Sequence, residues 1–249
     1  MKYGMPTLVE FDSILENVKF AKENNLDFIE LNMDLPYCFN IKENELLNYD
    51  IEFTMHLSEK LNFAELNDSF RKLYLKEAIR QIEIGINNNI KKYNLHIDSG
   101  IYFTLPNQKF FLNEKYIDIY KNNLDESCKE LNKLAKHYNI EINFENTKIQ
   151  GFTKGAVDVI SKYEYLGFTL DIGHNEKNKN KAYPLFINTK KIRHIHMHDY
   201  DGTSDHLALG TGIIDFSKYN NILKNNYIVI EVKESNDLLE SIKYINNFR

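Results

Sequence analysis

Short apolar stretches recur along the chain, and each of them turns polar at its carboxyl end. Eight such stretches are rich in β-branched and aromatic residues, which are typical of strands. They span residues 2–8, 27–34, 51–58, 93–100, 140–147, 167–175, 192–202 and 227–235. The pattern therefore predicts eight strands, each ending in polar side chains.

Helical periodicity fills the segments between these stretches. In residues 69–86 and 114–138, apolar residues recur at intervals of three and four, as on one face of a helix. Cys128 lies on that face of the second segment, so we interpret it as a core residue. Strands that alternate with helices predict parallel β/α units. Eight such units predict an α/β fold with one (β/α)8 TIM barrel and outer helices, and the lack of a linker favours a single domain over residues 1–249.

Polar residues mark the start of two predicted helices. Asp12 or Ser13 is placed to cap a first helix over residues 13–24. Ser235 or Asn236 is placed to cap the last helix. Because these side chains accept hydrogen bonds from free backbone N–H groups, they favour helix starts at those positions.

Composition and charge limit the classes of partner. Hydrophobic residues make up 43% of the 249 residues, and the net charge of −5 gives no basic footprint for nucleic acid. The biased segment NEKNKNK at 175–181 is interpreted as a solvated loop. No apolar run is long enough to span a membrane, and the first residues lack the apolar core of a signal peptide. Cys38 and Cys128 suggest no disulfide framework, so we expect a cytoplasmic protein without a membrane partner.

Imidazole and carboxylate groups occur at the predicted carboxyl ends of the strands. In a (β/α)8 barrel these ends meet on one face, where the active site lies. The candidates are His56, His96, Glu145, Asp171, His174, His196, His206 and Glu231. A single strand-end histidine is more often a hydrogen-bonded packing residue than a ligand, but together these residues are of the types that hold zinc, manganese or cobalt. The sequence therefore predicts a cup that binds a divalent metal ion, with donors for more than one per chain.

Three carboxylates lie within apolar strands. Glu145 in INFEN and Glu231 in VIEV are costly to bury unless each is paired or bound to a metal ion. Glu145 and Glu231 are therefore the stronger indications of a site. Glu30 and Asn32 in FIELN fit inward-facing site residues, a buried ion pair or a hydrogen-bonded strand end equally well.

The segment HIHMHD places three histidines at alternate positions. Because alternate side chains share one face of a strand, His194, His196 and His198 are predicted to line one wall. His194 comes early in the strand, which predicts a low position in the barrel and a structural role. His198 comes late, which predicts a position near solvent or substrate.

The motifs FIELN, MHLS, FENT, TLDIGH, HIHMHD, DHLALGTG and VIEV resemble the xylose isomerase-like TIM barrels over essentially the whole chain. That superfamily includes sugar isomerases and epimerases as well as apurinic endonucleases of the endonuclease IV type (AP endonuclease family 2). For the isomerase branch, the resemblance implies one divalent metal ion held by Glu145, Asp171, His196 and Glu231. It makes Asp199 a contact of the ligand ring or of the substrate.

For the endonuclease branch, the resemblance implies three zinc ions. They would use the same four residues together with His56, His96, His174, His206 and an aspartate two residues before the last histidine. That position is Ser204 in this chain, and Asp205 follows it. The third zinc site is therefore incomplete unless Asp205 turns inward.

Two enzymatic hypotheses stay open beside a barrel that binds metal without catalysis. The first is isomerisation or epimerisation of a small sugar, sugar phosphate or related hydroxycarbonyl compound through an enediolate. Glu145 and Glu231 would act as base and acid, and His174 would contact the substrate or carry a proton. Dehydration of a hydroxycarbonyl compound needs the same groups.

The second hypothesis is zinc-dependent cleavage of abasic DNA. The extra histidines favour it, whereas the acidic balance and Ser204 oppose it. We favour the first hypothesis, with a carbohydrate-like small molecule as the partner, because its set of four ligands is complete.

Overall fold

Eight parallel strands form a closed barrel in the structure, a computed structural model that describes residues 1–98, 100–224 and 226–246. The barrel strands are β1 (Lys2–Pro6), β2 (Phe28–Asn32), β3 (Glu52–His56), β4 (Lys92–His96), β7 (Glu141–Glu145), β8 (Leu166–Asp171), β9 (Ile192–Met197) and β10 (Tyr227–Ile230). Each pairs with the next barrel strand along the chain, and β10 closes the barrel on β1. The predicted α/β barrel is confirmed. Ser99, in the fourth predicted stretch, lies outside the described residues.

Helices connect the strands on the outside of the barrel. They are α1 (Ile14–Glu23), α2 (Pro36–Phe39), α3 (Asp68–Ile86), α4 (Leu112–Lys115), α5 (Ile117–Tyr138), α6 (Thr153–Ile160), α7 (Ile172–Lys177), α8 (Ala182–Ile187), α9 (Asn220–Leu223) and α10 (Ser235–Asn246), with 3-10 turns at Leu46–Asn48 and Phe216–Tyr219. Among the described residues, no helix combines the length and the apolar character needed to cross a membrane.

The predicted helix positions agree with the structure except at some ends. Ser13 caps α1 and accepts a hydrogen bond from the Glu16 amide, as predicted. The last helix already includes Ser235, so neither Ser235 nor Asn236 precedes it as a cap. The predicted solvated loop 175–181 is partly wrong. Its first three residues complete α7. Asn175 is buried, and its side-chain amide is satisfied by donating a hydrogen bond to the Tyr219 hydroxyl.

A hairpin interrupts the alternation of strands and helices and was not predicted. Strands β5 (Tyr102–Leu105) and β6 (Gln108–Phe111) pair antiparallel around a two-residue turn, Pro106–Asn107. All four residues of β5 are exposed, so the hairpin adds little to the core. The Pro-Asn dipeptide between two apolar runs was the available sequence signal.

Apolar side chains fill the space between the barrel and its helices. All six residues of β8 are buried, because one face points into the barrel and the other is covered by helices. Helix α5 buries Leu124, Cys128, Leu131 and Ala135, so the interpretation of Cys128 as a core residue is confirmed.

Inside the barrel, a buried layer of the wall is polar. Thr54 donates a hydrogen bond of 3.1 Å to Glu30, and Thr169 donates one of 2.5 Å to Asn94. Asn94 donates in turn to Glu30. Since buried polar groups need partners, this network keeps the strands in register beneath the carboxyl-end rim.

Candidate metal centre

The parallel register brings the polar strand ends to one rim. His96 at the end of β4 lies beside Glu145 at the end of β7, and Asp171 at the end of β8 lies beside His196 on β9. Glu231 directly follows β10. Because every barrel strand runs in the same direction, residues far apart in sequence meet at the same level.

Four of the predicted site residues converge on one point. Glu145, Asp171, His196 and Glu231 each offer a ligand atom, and these atoms lie within 4.8 Å of one another. The Nδ1 atom of His196 is 3.1 Å from the Oε2 atoms of both Glu145 and Glu231. Glu145, Asp171 and His196 are buried, and the side chain of Glu231 is 21% exposed. Of these four side chains, that of Glu231 is the one partly exposed at the carboxyl-end rim of the barrel, so a ligand would approach the cluster past Glu231.

The polar atoms of this cluster have unused bonding capacity. Five buried atoms of these four residues lack a hydrogen-bond partner: Oε1 of Glu145, Oδ2 of Asp171, Nδ1 and Nε2 of His196, and Oε2 of Glu231. Orphaned buried oxygens and nitrogens are rare in folded proteins, because each costs desolvation energy. Three carboxylates and one imidazole with free lone pairs fit a divalent cation of the zinc or manganese type.

The electrostatics of the cluster keep its carboxylates ionised. Burial raises the pKa of Glu231, but the His196 imidazole outweighs this effect and lowers the pKa to about 2. The pKa of Glu145 and of Asp171 is also lowered, because nearby imidazoles outweigh the effect of burial. Glu145, Glu30 and Glu231 raise the pKa of His196 well above its ordinary value against the opposing effect of burial. The site thus holds concentrated negative charge and selects for cations.

Two further predicted histidines flank Glu145. His56 Nε2 lies 3.3 Å from one oxygen of Glu145, and His96 Nε2 lies 3.8 Å from the other. The three residues form a second group that could hold a cation, with Glu145 common to both groups. Burial lowers the pKa of His56, but Glu145 outweighs it and raises the pKa to about 9. Burial lowers the pKa of His96.

The remaining histidines lie on the other side of Asp171. His174, His198 and His206 form a third group of potential donors. The rings of His198 and His206 are stacked with centroids 4.1 Å apart. Asp205 does not complete this group, because its carboxylate lies 2.6 Å from Lys177 Nζ and 3.9 Å from His174 Nε2.

The HIHMHD segment is arranged only partly as predicted. His194 is fully buried deep in the barrel, 3.1 Å from Glu30. His198 does not lie near solvent, because its ring is fully buried, with Nε2 3.2 Å from Asp171, and its position near a substrate stays a prediction. Asp199 is 1% exposed and accepts hydrogen bonds from the amides of Tyr200, Gly210 and Ile214. The Asp199 carboxylate therefore holds the loop that follows β9, and the backbone oxygen of Asp199 lies 3.1 Å from Nδ1 of His198.

Glu30 lies beneath the cluster, and the motif FIELN allows more than one role for it. Glu30 on β2 is the inward-facing partner of a buried ion pair, with Oε1 2.8 Å from Nε2 of His196. The signal for it was the same as for Glu145, a carboxylate within an apolar strand. The sequence could not show which imidazole it meets.

A cavity opens from the cluster toward the rim. Its volume is about 80 Å³. It is lined by the predicted site residues His56, His96, His196 and Glu231 and by Asn32, Glu59 and Lys233 from the rim. A small ligand in this cavity would contact Glu231 and the imidazoles directly.

The closed barrel of parallel strands with a polar cup at their carboxyl ends defines a TIM barrel. The chain belongs to the xylose isomerase-like TIM barrel family, whose model matches residues 18–248. It is 28% identical over 255 residues to an uncharacterized protein of Methanocaldococcus jannaschii, covering 97% of this chain and 95% of that protein.

Solved structures share the whole fold. A D-tagatose 3-epimerase-like protein superposes with a TM-score of 0.79 at 24% identity, covering 100% of this chain and 97% of that chain. The Escherichia coli 3-keto-D-glucoside 4-epimerase YcjR, in its apo form, has a TM-score of 0.78 at 16% identity, covering 100% and 99%. The IolI protein with a bound zinc atom has a TM-score of 0.77 at 16% identity, covering 99% and 97%. At these identities the likeness concerns the fold.

Proposed function

We propose that the protein is a divalent-metal-dependent isomerase or epimerase of a small sugar, sugar phosphate or related hydroxycarbonyl compound. The observation that carries this proposal is the convergence of four buried ligand atoms, each without a hydrogen-bond partner, from Glu145, Asp171, His196 and Glu231. The epimerases among the structures of the same fold support the reaction class.

Glu145, Asp171, His196 and Glu231 would hold the cation, which we propose to be zinc, manganese or cobalt. The zinc-bound structure of similar fold supports zinc as the first ion to test. When bound, the ion supplies Lewis acidity to a carbonyl oxygen and to the hydroxyl beside it.

The chain's own carboxylates perform the proton transfers. Of the three carboxylates among the four proposed ligands, Glu231 is the one that lines the cavity, so it would remove the proton from the carbon next to the carbonyl. The electron pair of that C–H bond moves to the carbonyl and gives an enediolate. Glu145, on the non-adjacent strand β7, would take up a proton from solvent and deliver it to carbon from the other side, and His174 would hold a substrate hydroxyl. Glu231 would release the proton that it removed to solvent, so the step balances without net oxidation and exchanges the carbon-bound proton with solvent.

Cleavage of abasic DNA is the second candidate function. The group of His56, His96 and Glu145 favours it, since an enzyme with one metal ion does not need those two imidazoles. Against it, Ser204 replaces a metal-binding aspartate, and Asp205 is engaged by Lys177. The net charge of −5 also disfavours a polyanionic substrate.

Elemental analysis of protein purified without chelator, combined with substrate assays, tests the proposal. We expect about one tightly bound divalent ion per chain and proton exchange into solvent at the carbon next to a carbonyl of a ketose or ketose phosphate. Solvent deuterium uptake detects that exchange even when the product equals the substrate. Three tightly bound zinc ions together with cleavage of an abasic-site duplex would overturn the proposal in favour of the second candidate.

A further inference from the structure

Glu30 is not one of the four proposed ligands, but its carboxylate faces the imidazole of His196. It lies at Nε2 of the ring, whereas Nδ1 faces the proposed metal site. Glu30 on β2 is 2% exposed and lies in the polar layer of the barrel interior. A buried carboxylate is costly unless donors surround it. The Glu30 carboxylate at this depth therefore needs hydrogen-bond donors or positive charge around it.

Every described contact of the Glu30 carboxylate is a donor or an imidazole. Oε2 accepts hydrogen bonds from the Thr54 hydroxyl and from the Asn94 amide, and it lies 3.1 Å from His194 Nε2. Oε1 is 2.8 Å from His196 Nε2. One oxygen is thus anchored by the barrel wall, and the other is directed at His196.

His196 connects Glu30 to the proposed metal site. Its Nε2 faces Glu30, whereas its Nδ1 lies 3.1 Å from both Glu145 and Glu231. Because the two nitrogens occupy different edges of the ring, a proton held on Nε2 leaves the lone pair of Nδ1 free for a cation. Oε1 of Glu30 therefore contacts the Nε2 edge of the ring, whereas Thr54 and Asn94 donate to the other oxygen, Oε2.

We propose that Glu30 is a positioning residue that fixes the tautomer and the orientation of His196 for metal binding through Nδ1. This inference rests on the proposed function, because it requires a cation among Glu145, Asp171, His196 and Glu231. With the ion bound, the carboxylate, whose Oε1 lies 2.8 Å from Nε2, would accept the Nε2 proton and make the imidazole a better electron donor to the ion. Glu30 is not one of the four proposed ligands, and its proposed effect on the ion acts through His196.

Metal affinity of matched variants tests the role of Glu30. Glu30→Gln keeps the size of the side chain but removes its charge, and we expect the zinc dissociation constant to rise by about 10- to 100-fold. Thr54→Val is the control, since it removes a hydrogen bond to the same carboxylate on the side away from His196. We expect Thr54→Val to change the constant by less than about threefold. Competition with a chromophoric chelator measures both values without an activity assay.

The outcomes separate this inference from the proposed function. If wild-type protein binds no divalent metal ion, the proposed function itself fails. If wild-type protein binds zinc and Glu30→Gln binds it within about threefold of wild type, only the role of Glu30 is overturned. A ten-fold or greater loss in Glu30→Gln with an unaffected Thr54→Val supports the inference.

A spectroscopic measurement on wild-type protein decides the matter if Glu30→Gln does not fold. In zinc-loaded protein labelled with 15N-histidine, we expect His196 to carry its proton on Nε2. That proton should be protected from exchange and shifted downfield by the carboxylate. A proton on Nδ1, or an Nε2 proton in rapid exchange with solvent, would overturn the inference.

Discussion

The Nδ1 atom of His196 lies 3.1 Å from the Oε2 atom of Glu231, although 35 positions separate the two residues in the sequence. They meet because β9 and β10 are paired neighbours with Val229 opposite His196. Glu231 therefore emerges at the rim just above the ring. Neither the imidazole nitrogen nor that carboxylate oxygen has a hydrogen-bond partner, so the pair is arranged around a position that a cation can take.

Replacing the exposed member of this pair should abolish turnover. We expect Glu231→Gln to lower kcat by about 10²- to 10⁴-fold, because the amide cannot accept the substrate proton. Glu145→Gln should act in the same direction. Solvent deuterium exchange measures the effect. Glu234→Gln is the matched control, since it removes an exposed carboxylate three residues away. Normal rates in both site variants would exclude the proposed acid and base roles.

Removal of the metal ion should destabilise the protein. A cation that binds only the folded state, at about a thousand times its dissociation constant, adds about 4 kcal/mol to the free energy of unfolding. For a chain of this size we expect Tm to fall on the order of 10 °C when a chelator is added. Differential scanning calorimetry before and after readdition of zinc checks this. An unchanged Tm in protein shown to contain zinc would contradict it.

A methyl group at Gly173 should disturb the site from below. A Cβ at this position would lie 2.0 Å from Cε1 of His198, whose Nε2 is 3.2 Å from Asp171. Because both residues are buried, we expect Gly173→Ala to lower the free energy of unfolding by about 1–3 kcal/mol and to weaken zinc binding. Urea unfolding and chelator competition measure these changes.

Gly155→Ala is the control for that variant. Its Cβ would meet Cε of Lys121, the mobile end of a side chain, at 2.7 Å. Gly155 lies within α6, where alanine is favoured over glycine, so we expect a stability equal to wild type or about 1 kcal/mol higher. Equal losses of stability in both variants would indicate a backbone effect rather than contact with His198.

Stability should depend on pH through Asp98. Burial is the largest influence and raises the pKa of this carboxyl, although the Asn113 amide donates to it at 3.2 Å. A folded-state pKa above the unfolded value favours folding while the group is protonated, and that contribution is lost as pH rises through the folded pKa. Asp98→Asn imitates the protonated form. We therefore expect it to be more stable than wild type at pH 7, with the difference shrinking below the ordinary pKa of aspartate.

Urea unfolding at a series of pH values measures the Asp98 effect. Asp68→Asn serves as a comparison, because Asp68 is exposed and the hydrogen bonds that it accepts from Lys72 and Arg71 lower its pKa. A stability difference for Asp98→Asn that stays constant over the acidic range would contradict the prediction.

Local sequence signals were sufficient for most secondary structure because they act over short distances. Helix α3 begins at Asp68 and ends at Ile86, within one residue of the predicted 69–86. The period of its apolar residues reflects one buried face, and that face is a property of the helix itself. The hairpin after β4 was missed because both its faces are exposed, so no alternation of buried and exposed residues marks it.

Side-chain partners were harder to predict because they depend on neighbours distant in sequence. His198 was expected near solvent or substrate, but it is closed off from solvent, because α7 begins directly beside it and Gly173 allows the ring to pack there. Asp199 was expected to contact the ligand ring or the substrate, and the structure adds that the amides of Gly210 and Ile214 donate to its carboxylate. In both cases a segment more than ten positions away decided the environment.

The amino-acid sequence by itself determined the number of barrel strands, their order and the donor types at their carboxyl ends. These follow from local periodicity and from the rule that consecutive parallel strands lie side by side. Only the tertiary structure decided that Glu145, Asp171, His196 and Glu231 meet within 4.8 Å and that Glu30 faces the second nitrogen of His196. Closing the barrel fixes the register of all its strands at once, and no short segment contains the distances that result.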